Sequence, residues 1–197
     1  MSSAAPPTLG LFPLPTVLLP GAMLGLRVFE PRYLDLVRDC GRDGRGFGIC
    51  LLLPRDGEEA GDGAGSPAAF GTEARIEDFG SDDAGLLTLQ VRGRRRFRVE
   101  QAKVRDNGLV MATVEWREPD PDDVLRPEHA LLGVLLRGLL EQVGGEHAKA
   151  TPAQFDDAAW VGWRLAELLP LSDAQRQLLL QEDDPHARLQ QLLALLP

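Results

Sequence analysis

The residue types able to do chemistry are few and scattered in this chain. The three histidines are His129, His147 and His186. They stand in polar neighbourhoods, lack the paired spacing of a zinc-protease helix, and read as exposed side chains on helix surfaces. Cys40 and Cys50 are the only cysteines. A single pair is neither a disulfide framework nor a zinc motif, so both read as small core residues and no metal site is expected. Of the five serines, Ser2 and Ser3 lie at the N-terminus, Ser66 and Ser81 in loops, and Ser172 at a helix start. Lysine occurs only as Lys103 and Lys149, so nearly all positive charge is arginine. Arginine stays protonated and cannot act as a general base or Schiff-base nucleophile. Neither lysine has a serine in its sequence context that suggests a Ser–Lys dyad. There is no G-x-x-x-x-G-K-[ST] phosphate loop and no G-x-S-x-G elbow. Gly44, Gly46 and Gly48 fall short of G-x-G-x-x-G because Ile49 takes the last glycine's place.

Charge has two concentrations. The acidic groups Asp120/Asp122/Asp123, Asp156/Asp157 and Glu182/Asp183/Asp184 sit at or near helix starts, where capping and the helix dipole favour them. The basic run Arg92–Arg98 (RGRRRFR) offers two readings. One is an RNA-binding strand with Phe97 as a stacking residue. The other is a strand with Arg94, Arg96 and Arg98 on its polar face and Phe97 and Val99 inward. Arg95 breaks the alternation and predicts a bulge nearby. With 21 Lys+Arg against 30 Asp+Glu, the net charge of −9 argues against a general nucleic-acid binder.

The elements that position these residues change character near residue 120. Before it, Leu9–Leu14 and Thr16–Leu19 read as short extended pieces, kept by Pro13, Pro15 and Pro20 to a sheet edge or bulges. Pro20-Gly21 predicts a turn and Met23–Val28 a strand. Pro31 opens a helix that Gly41 ends. Phe47–Leu53 reads as a buried strand and Pro54–Ala69 as a mobile loop. From Gly71, Thr72, Ala74 and Ile76 alternate against Glu73, Arg75 and Glu77, and period-two alternation returns through Leu87–Val91, Phe97–Val99 and Val110–Trp116. These strands predict a curled sheet or barrel. After the connector Glu118–Asp123, four helical segments follow: one over Leu132–Val143, one capped by Thr151 and Gln154, one by Ser172 and Gln175, and one begun at Asp184-Pro185. Short loops predict a small antiparallel bundle. With 197 residues, 44% of them hydrophobic, the chain is large enough for a core without staples. It shows no signal peptide and no apolar run long enough to span a bilayer, which predicts a cytoplasmic protein.

Leu11–Leu36 reads LFPLPTVLLPGAMLGLRVFEPRYLDL. This segment resembles the opening of the Lon substrate-binding domain, the N-terminal domain of the ATP-dependent protease Lon. GFGICLLLP, FGTEARIEDF, VRGRRRFRV and the tail Leu165–Leu196 match further family elements in order. The resemblance implies an α+β fold. An N-terminal β-rich PUA-like pseudo-barrel with one short helix spans 1–120, and a C-terminal four-helix bundle-like subdomain spans 121–197. It implies a stand-alone, non-enzymatic and cofactor-free module, because the ATPase and Ser–Lys peptidase of the protease have no counterpart in the sequence. The motif residues Pro13, Pro20, Gly21, Pro31, Gly71 and Gly93 read as structural. Phe29 and Tyr33 are expected to plug the gap between helix and sheet. Phe29, Glu30, Arg32 and Tyr33, with Arg96 nearby, form the candidate polypeptide-binding surface. The expected partner is unfolded or extended polypeptide, or a partner protein, with neither nucleic acid nor membrane. Two alternatives stay open: a small-molecule-binding domain or hydrolase with an unrecognised site, and an RNA-binding module using Arg92–Arg98.

Overall fold

The computed structural model describes residues 6–54 and 65–196. The chain divides into two compact units, Met1–Arg117 and Glu118–Pro197, each taken in turn.

The first unit is built on β1 (Thr8–Leu14), β2 (Met23–Val28), helix α1 (Pro31–Asp43), β3 (Phe47–Pro54), β4 (Gly65–Ser81), β5 (Leu87–Val104) and β6 (Val110–Trp116). Strand order is β2-β5-β4-β3-β1-β6, and β5 also pairs with β6. The ring β5–β4–β3–β1–β6 therefore closes on itself, with β2 carried outside it on β5. The period-two alternation thus resolves into a pseudo-barrel. Its core holds Leu9, Leu11, Cys50, Phe97, Ala112 and Val114. Burial pushes the Cys50 thiol up to about 12, the behaviour of a core residue rather than a nucleophile. β1 and β3 run parallel, and every other pairing is antiparallel.

Several local expectations give way. Thr16–Leu19 forms no strand, although Leu18 and Leu19 are buried. β1 lies inside the sheet order, and Pro13 is tolerated because β6 pairs β1 only as far as Leu11. Helix α1 passes through Gly41, where a side chain would meet open space, and stops at Gly44. Gly44 takes the left-handed conformation (φ 61°), and the Arg45 N–H closes a Schellman-type bond onto the Cys40 carbonyl at 3.0 Å. Residues 65–69 belong to β4, pairing Pro67 with Leu52. The remainder of the expected loop, 55–64, lies outside the described residues. Glu73 is buried beneath Arg75 and Arg95, beside a register shift between Thr72 and Ala74, which are themselves buried on the other face. That same shift opposes Arg94 and Arg95 to Glu73 alone, which is the bulge the arginine run predicts.

The second unit contains α2 (Ala130–Val143), α3 (Pro152–Phe155), α4 (Ala158–Leu168), α5 (Asp173–Gln181) and α6 (Pro185–Leu195). The second helical segment is split. Asp157 accepts from the Ala159 and Trp160 N–H groups and starts α4 afresh after the single turn of α3. The Ser172–Gln175 box forms in both directions, at 2.8 and 3.2 Å. Asp184 caps α6, and the bond it accepts from the His186 N–H holds its carboxyl below the usual range. Asp120 departs from the capping reading: its carboxylate takes the Trp163 indole N–H at 2.6 Å and the Arg188 guanidinium at 2.8 Å. The histidines also depart from expectation. His129 and His186 are buried and nearly parallel, with Nδ1 to Nδ1 at 3.3 Å. One Nδ1 must carry the hydrogen and the other accept it. Among the described residues no helix is long and apolar enough to cross a membrane.

Candidate functional site

A cleft of about 260 Å³ opens in the first unit where β2 hands over to α1. Phe12, Pro13 and Leu14 of β1 line it, together with Arg27, Phe29, Glu30, Arg32, Tyr33, Leu52, Pro67 and Val110. Each element arrives for a local reason. β1 loses β6 as a neighbour after Leu11, so Phe12–Leu14 keeps a strand on one side only. Glu30 is the last extended residue, at φ −73° and ψ 131°, and Pro31 then starts α1 with its ring already set to a helical φ.

The cleft floor is aromatic. Tyr33 packs edge-on against Phe12 with ring centroids 4.1 Å apart, and Phe12 meets Phe47 in the same manner at 6.2 Å. Burial raises the Tyr33 hydroxyl pKa, the Arg32 charge lowers it, and Glu30 raises it again. Among the described residues that hydroxyl has no hydrogen-bond partner. Arg32 is held on three sides. Its Nε donates to Glu30 at 2.8 Å, it donates to the Gly108 carbonyl at 3.0 Å, and its guanidinium lies 4.7 Å from the Tyr33 ring centre. Gly108 reaches that position in a left-handed turn (φ 82°) between β5 and β6. Arg27, which also lines the cleft, is ion-paired with Asp82. The rim cations thus carry their own counter-charges, and the lining between them is mostly apolar.

Phe29 overturns its expected role as a plug. It is 64% exposed and projects from the β2–α1 junction, while Tyr33 alone fills the gap beneath. Arg96 does not line the cleft. It is 5% exposed and stands opposite the buried Thr72 on β4, on the face away from Phe97, so the side that alternation assigned as polar is itself covered here. Phe12, Arg27, Leu52, Pro67 and Val110 are cleft residues that the motif reading omits. Phe12 and Arg27 lie inside the motif-bearing segment Leu11–Leu36, whereas Leu52, Pro67 and Val110 arrive only through strand pairing.

Of the motif glycines and prolines, Pro13 lines the cleft, and Pro20, Gly21, Gly71 and Gly93 serve turns and close backbone approaches. Pro20 precedes Gly21, which turns at φ 78° and exchanges bonds with β5: its N–H donates to the Gly93 carbonyl, and the Gly93 N–H donates to the Ala22 carbonyl, both at 2.9 Å. A Cβ on Gly93 would stand 2.2 Å from the Leu19 carbonyl oxygen, and one on Gly71 would stand 2.5 Å from that of Ile49.

Arg92, Arg94, Arg95 and Arg98 are ion-paired within the first unit, with Glu77 and Glu73 each shared between two arginines. Arg92 makes two bonds to Glu77, at 2.6 and 3.1 Å, and Arg94 lies 3.5 Å from the same carboxylate. Arg95 pairs with Glu73 and lies 3.8 Å over the Trp116 ring. Arg98 meets Glu100. A second, more apolar groove of about 480 Å³ runs along α1, between Leu34 and Val37 and the β-sheet residues Ile76, Phe79 and Leu89.

The substrate-binding domain of the ATP-dependent protease La (Lon) matches residues 8–197. The chain belongs to the Lon substrate-binding domain family. Among solved structures, a Lon N-terminal domain protein from Xanthomonas campestris shares 59% identity, covers 97% of this chain and 99% of its own, and superposes with a TM-score of 0.82. The N-terminal domain of the Mycobacterium avium complex Lon protease shares the fold at 17% identity, with a TM-score of 0.69 over 95% of this chain and 97% of that one. Cereblon from Danio rerio is 28% identical over 141 residues, covering 70% of this Lon-family chain and 31% of cereblon. Cereblon from Gallus gallus is 25% identical over 152 residues, covering 75% of the chain and 30% of cereblon. The chain thus spans about a third of the length of these curated relatives.

Proposed function

We propose that this Lon-family domain is a non-catalytic module that binds unfolded or extended polypeptide in the Phe29 cleft. The observation that carries this reading is Phe29 itself: a large apolar side chain held open to solvent at the mouth of an aromatic-floored cleft. Burying an exposed phenylalanine against a partner side chain is worth about 1.5–3 kcal/mol. Glu30 and Arg32 shape the rim, and the Tyr33 hydroxyl in the floor offers an unused donor to a bound backbone. Arg27 and Arg32 are already charge-paired, which favours an uncharged polypeptide segment over an anionic ligand. The net charge of −9 weighs against RNA, whose binding needs an excess of cations to displace counterions. Cys50 is far from thiolate formation, which weighs against a thiol nucleophile at that site.

Anisotropy titration with a fluorescein-labelled, reduced and carboxymethylated protein tests the proposal. The wild-type domain is expected to bind, and Phe29→Ser to weaken binding about 10-fold or more, the equivalent of about 1.4 kcal/mol. Phe29 is exposed, so its replacement leaves the fold intact, which circular dichroism checks. Equal affinity of the two proteins removes the cleft from the account.

A further inference from the structure

The outer edge of β2 is an unoccupied strand position. β2 ends the sheet order, with β5 on one side and no strand on the other among the described residues. An antiparallel ladder uses the N–H and C=O groups of alternate residues, so about half of the backbone groups of Met23–Val28 point away from β5. Backbone groups normally find partners when they are covered, and an open edge is a template for another chain. Among the described residues no backbone group of Met23–Val28 bonds to a side chain, a turn or another strand outside the β2–β5 ladder.

Natural sheets blunt such edges with proline, lysine, bulges or inward charges. β2 has none of these. Its sequence MLGLRV contains neither proline nor lysine, and its one charge, Arg27, is tied to Asp82. Its register with β5 is unbroken from Met23↔Arg92 to Val28↔Leu87. By contrast, β3–β4, β4–β5 and β5–β6 each carry a register shift. The half-open end of β1 holds Pro13, which lacks an N–H.

We propose that β2 receives an extended polypeptide as an added strand along its outer edge, delivering that strand's side chains to the cleft at Phe29. The occupant follows from the chemistry of the edge. Donors and acceptors alternating at strand spacing over about 20 Å are matched by the backbone of another extended chain. Backbone pairing tolerates varied sequence, while Phe29 supplies a preference for apolar side chains at one end. Gly25, Arg27 and Phe29 are exposed while Leu26 and Val28 are buried, so the added strand's alternate side chains fall beside Phe29.

This inference rests on the polypeptide-binding reading above, and one experiment separates the two. Residue-resolved amide hydrogen exchange is measured by NMR on the intact chain, with and without a peptide of about ten residues alternating threonine with apolar residues, an extended-strand probe. In the free protein the outward amides of Met23–Val28 exchange fast and the inward ones slowly. At saturating peptide the outward amides are expected to slow by at least ~10-fold, with a shift of the Phe29 signals. If the Phe29 signals shift and the outward amides keep their fast exchange, strand addition is overturned while cleft binding stands. If neither responds, both fall.

Discussion

Replacing Asp120 with alanine is expected to lower the stability of the helical unit by about 3–5 kcal/mol, the cost of stranding a buried charge. Arg188 is fully buried, at 0% exposure. Its guanidinium stacks 3.5 Å over the Trp163 ring, donates to Asp120 at 2.8 Å and donates to the Glu182 carbonyl at 2.7 Å. Asp120 supplies the counter-charge and also takes the Trp163 indole N–H. The alanine variant therefore leaves a cation in a low-dielectric site and removes the acceptor of a part-buried donor. Urea unfolding of wild type, Asp120→Ala and Asp122→Ala reads this out. Asp122 is exposed, and its replacement is expected to stay within about 0.5 kcal/mol. The double variant Asp120→Ala/Arg188→Met is expected to recover much of the loss, because removing both charges also removes the desolvation penalty. A loss below about 1 kcal/mol for Asp120→Ala would place the pair among exposed ion pairs and contradict the geometry.

Phe97→Ala is expected to cost the β-rich unit about 3–5 kcal/mol, through lost transfer energy and the cavity left behind. The ring is completely buried at the centre of the barrel core and meets Trp116 edge-on at 6.2 Å. Two glycines make its space: a Cβ on either Gly48 or Gly71 would stand 2.7 Å from the ring tip. Glycines have no side chain to refill a hole the size of a phenyl group, so the cavity term persists. A thermal midpoint lowered by about 10 °C is the expected reading. Phe79→Ala, on an exposed ring, serves as the matched control and is expected to leave the midpoint nearly unchanged.

These two cases mark where the sequence was legible. The alternation around Phe97 identified a strand, an inward ring and a bulge at the arginines, because period-two patterning reports sheet faces directly. It took Arg96 and Glu73 for exposed residues because alternation reports which residues share a face, not whether both faces are covered: Thr72, Glu73 and Ala74 are all buried in succession, as are Arg96 and Phe97. Met23–Val28, and Pro31 as the start of α1, were readable from local signals. The helix end was not: Gly41 and Gly44 are equal in sequence, and only the left-handed turn at Gly44 distinguishes them. Asp120 resembled a connector residue because its partner Arg188 lies 68 positions away. His129 and His186 each stand in polar sequence, and only the fold brings them together as a buried, stacked pair. In the cleft, the motif brought Phe29, Glu30, Arg32 and Tyr33 to notice, while the opposing wall came from strands paired across the barrel.

The most direct test of polypeptide binding at the cleft is site-specific photo-crosslinking. A benzophenone side chain is placed at position 29 or at position 79, the exposed aromatic of the larger groove along α1. Each protein is irradiated with the same unfolded, labelled polypeptide. Strong crosslinking is expected from position 29 and little from position 79. Crosslinking from position 79 alone, or equal yields from both, would contradict binding at the cleft.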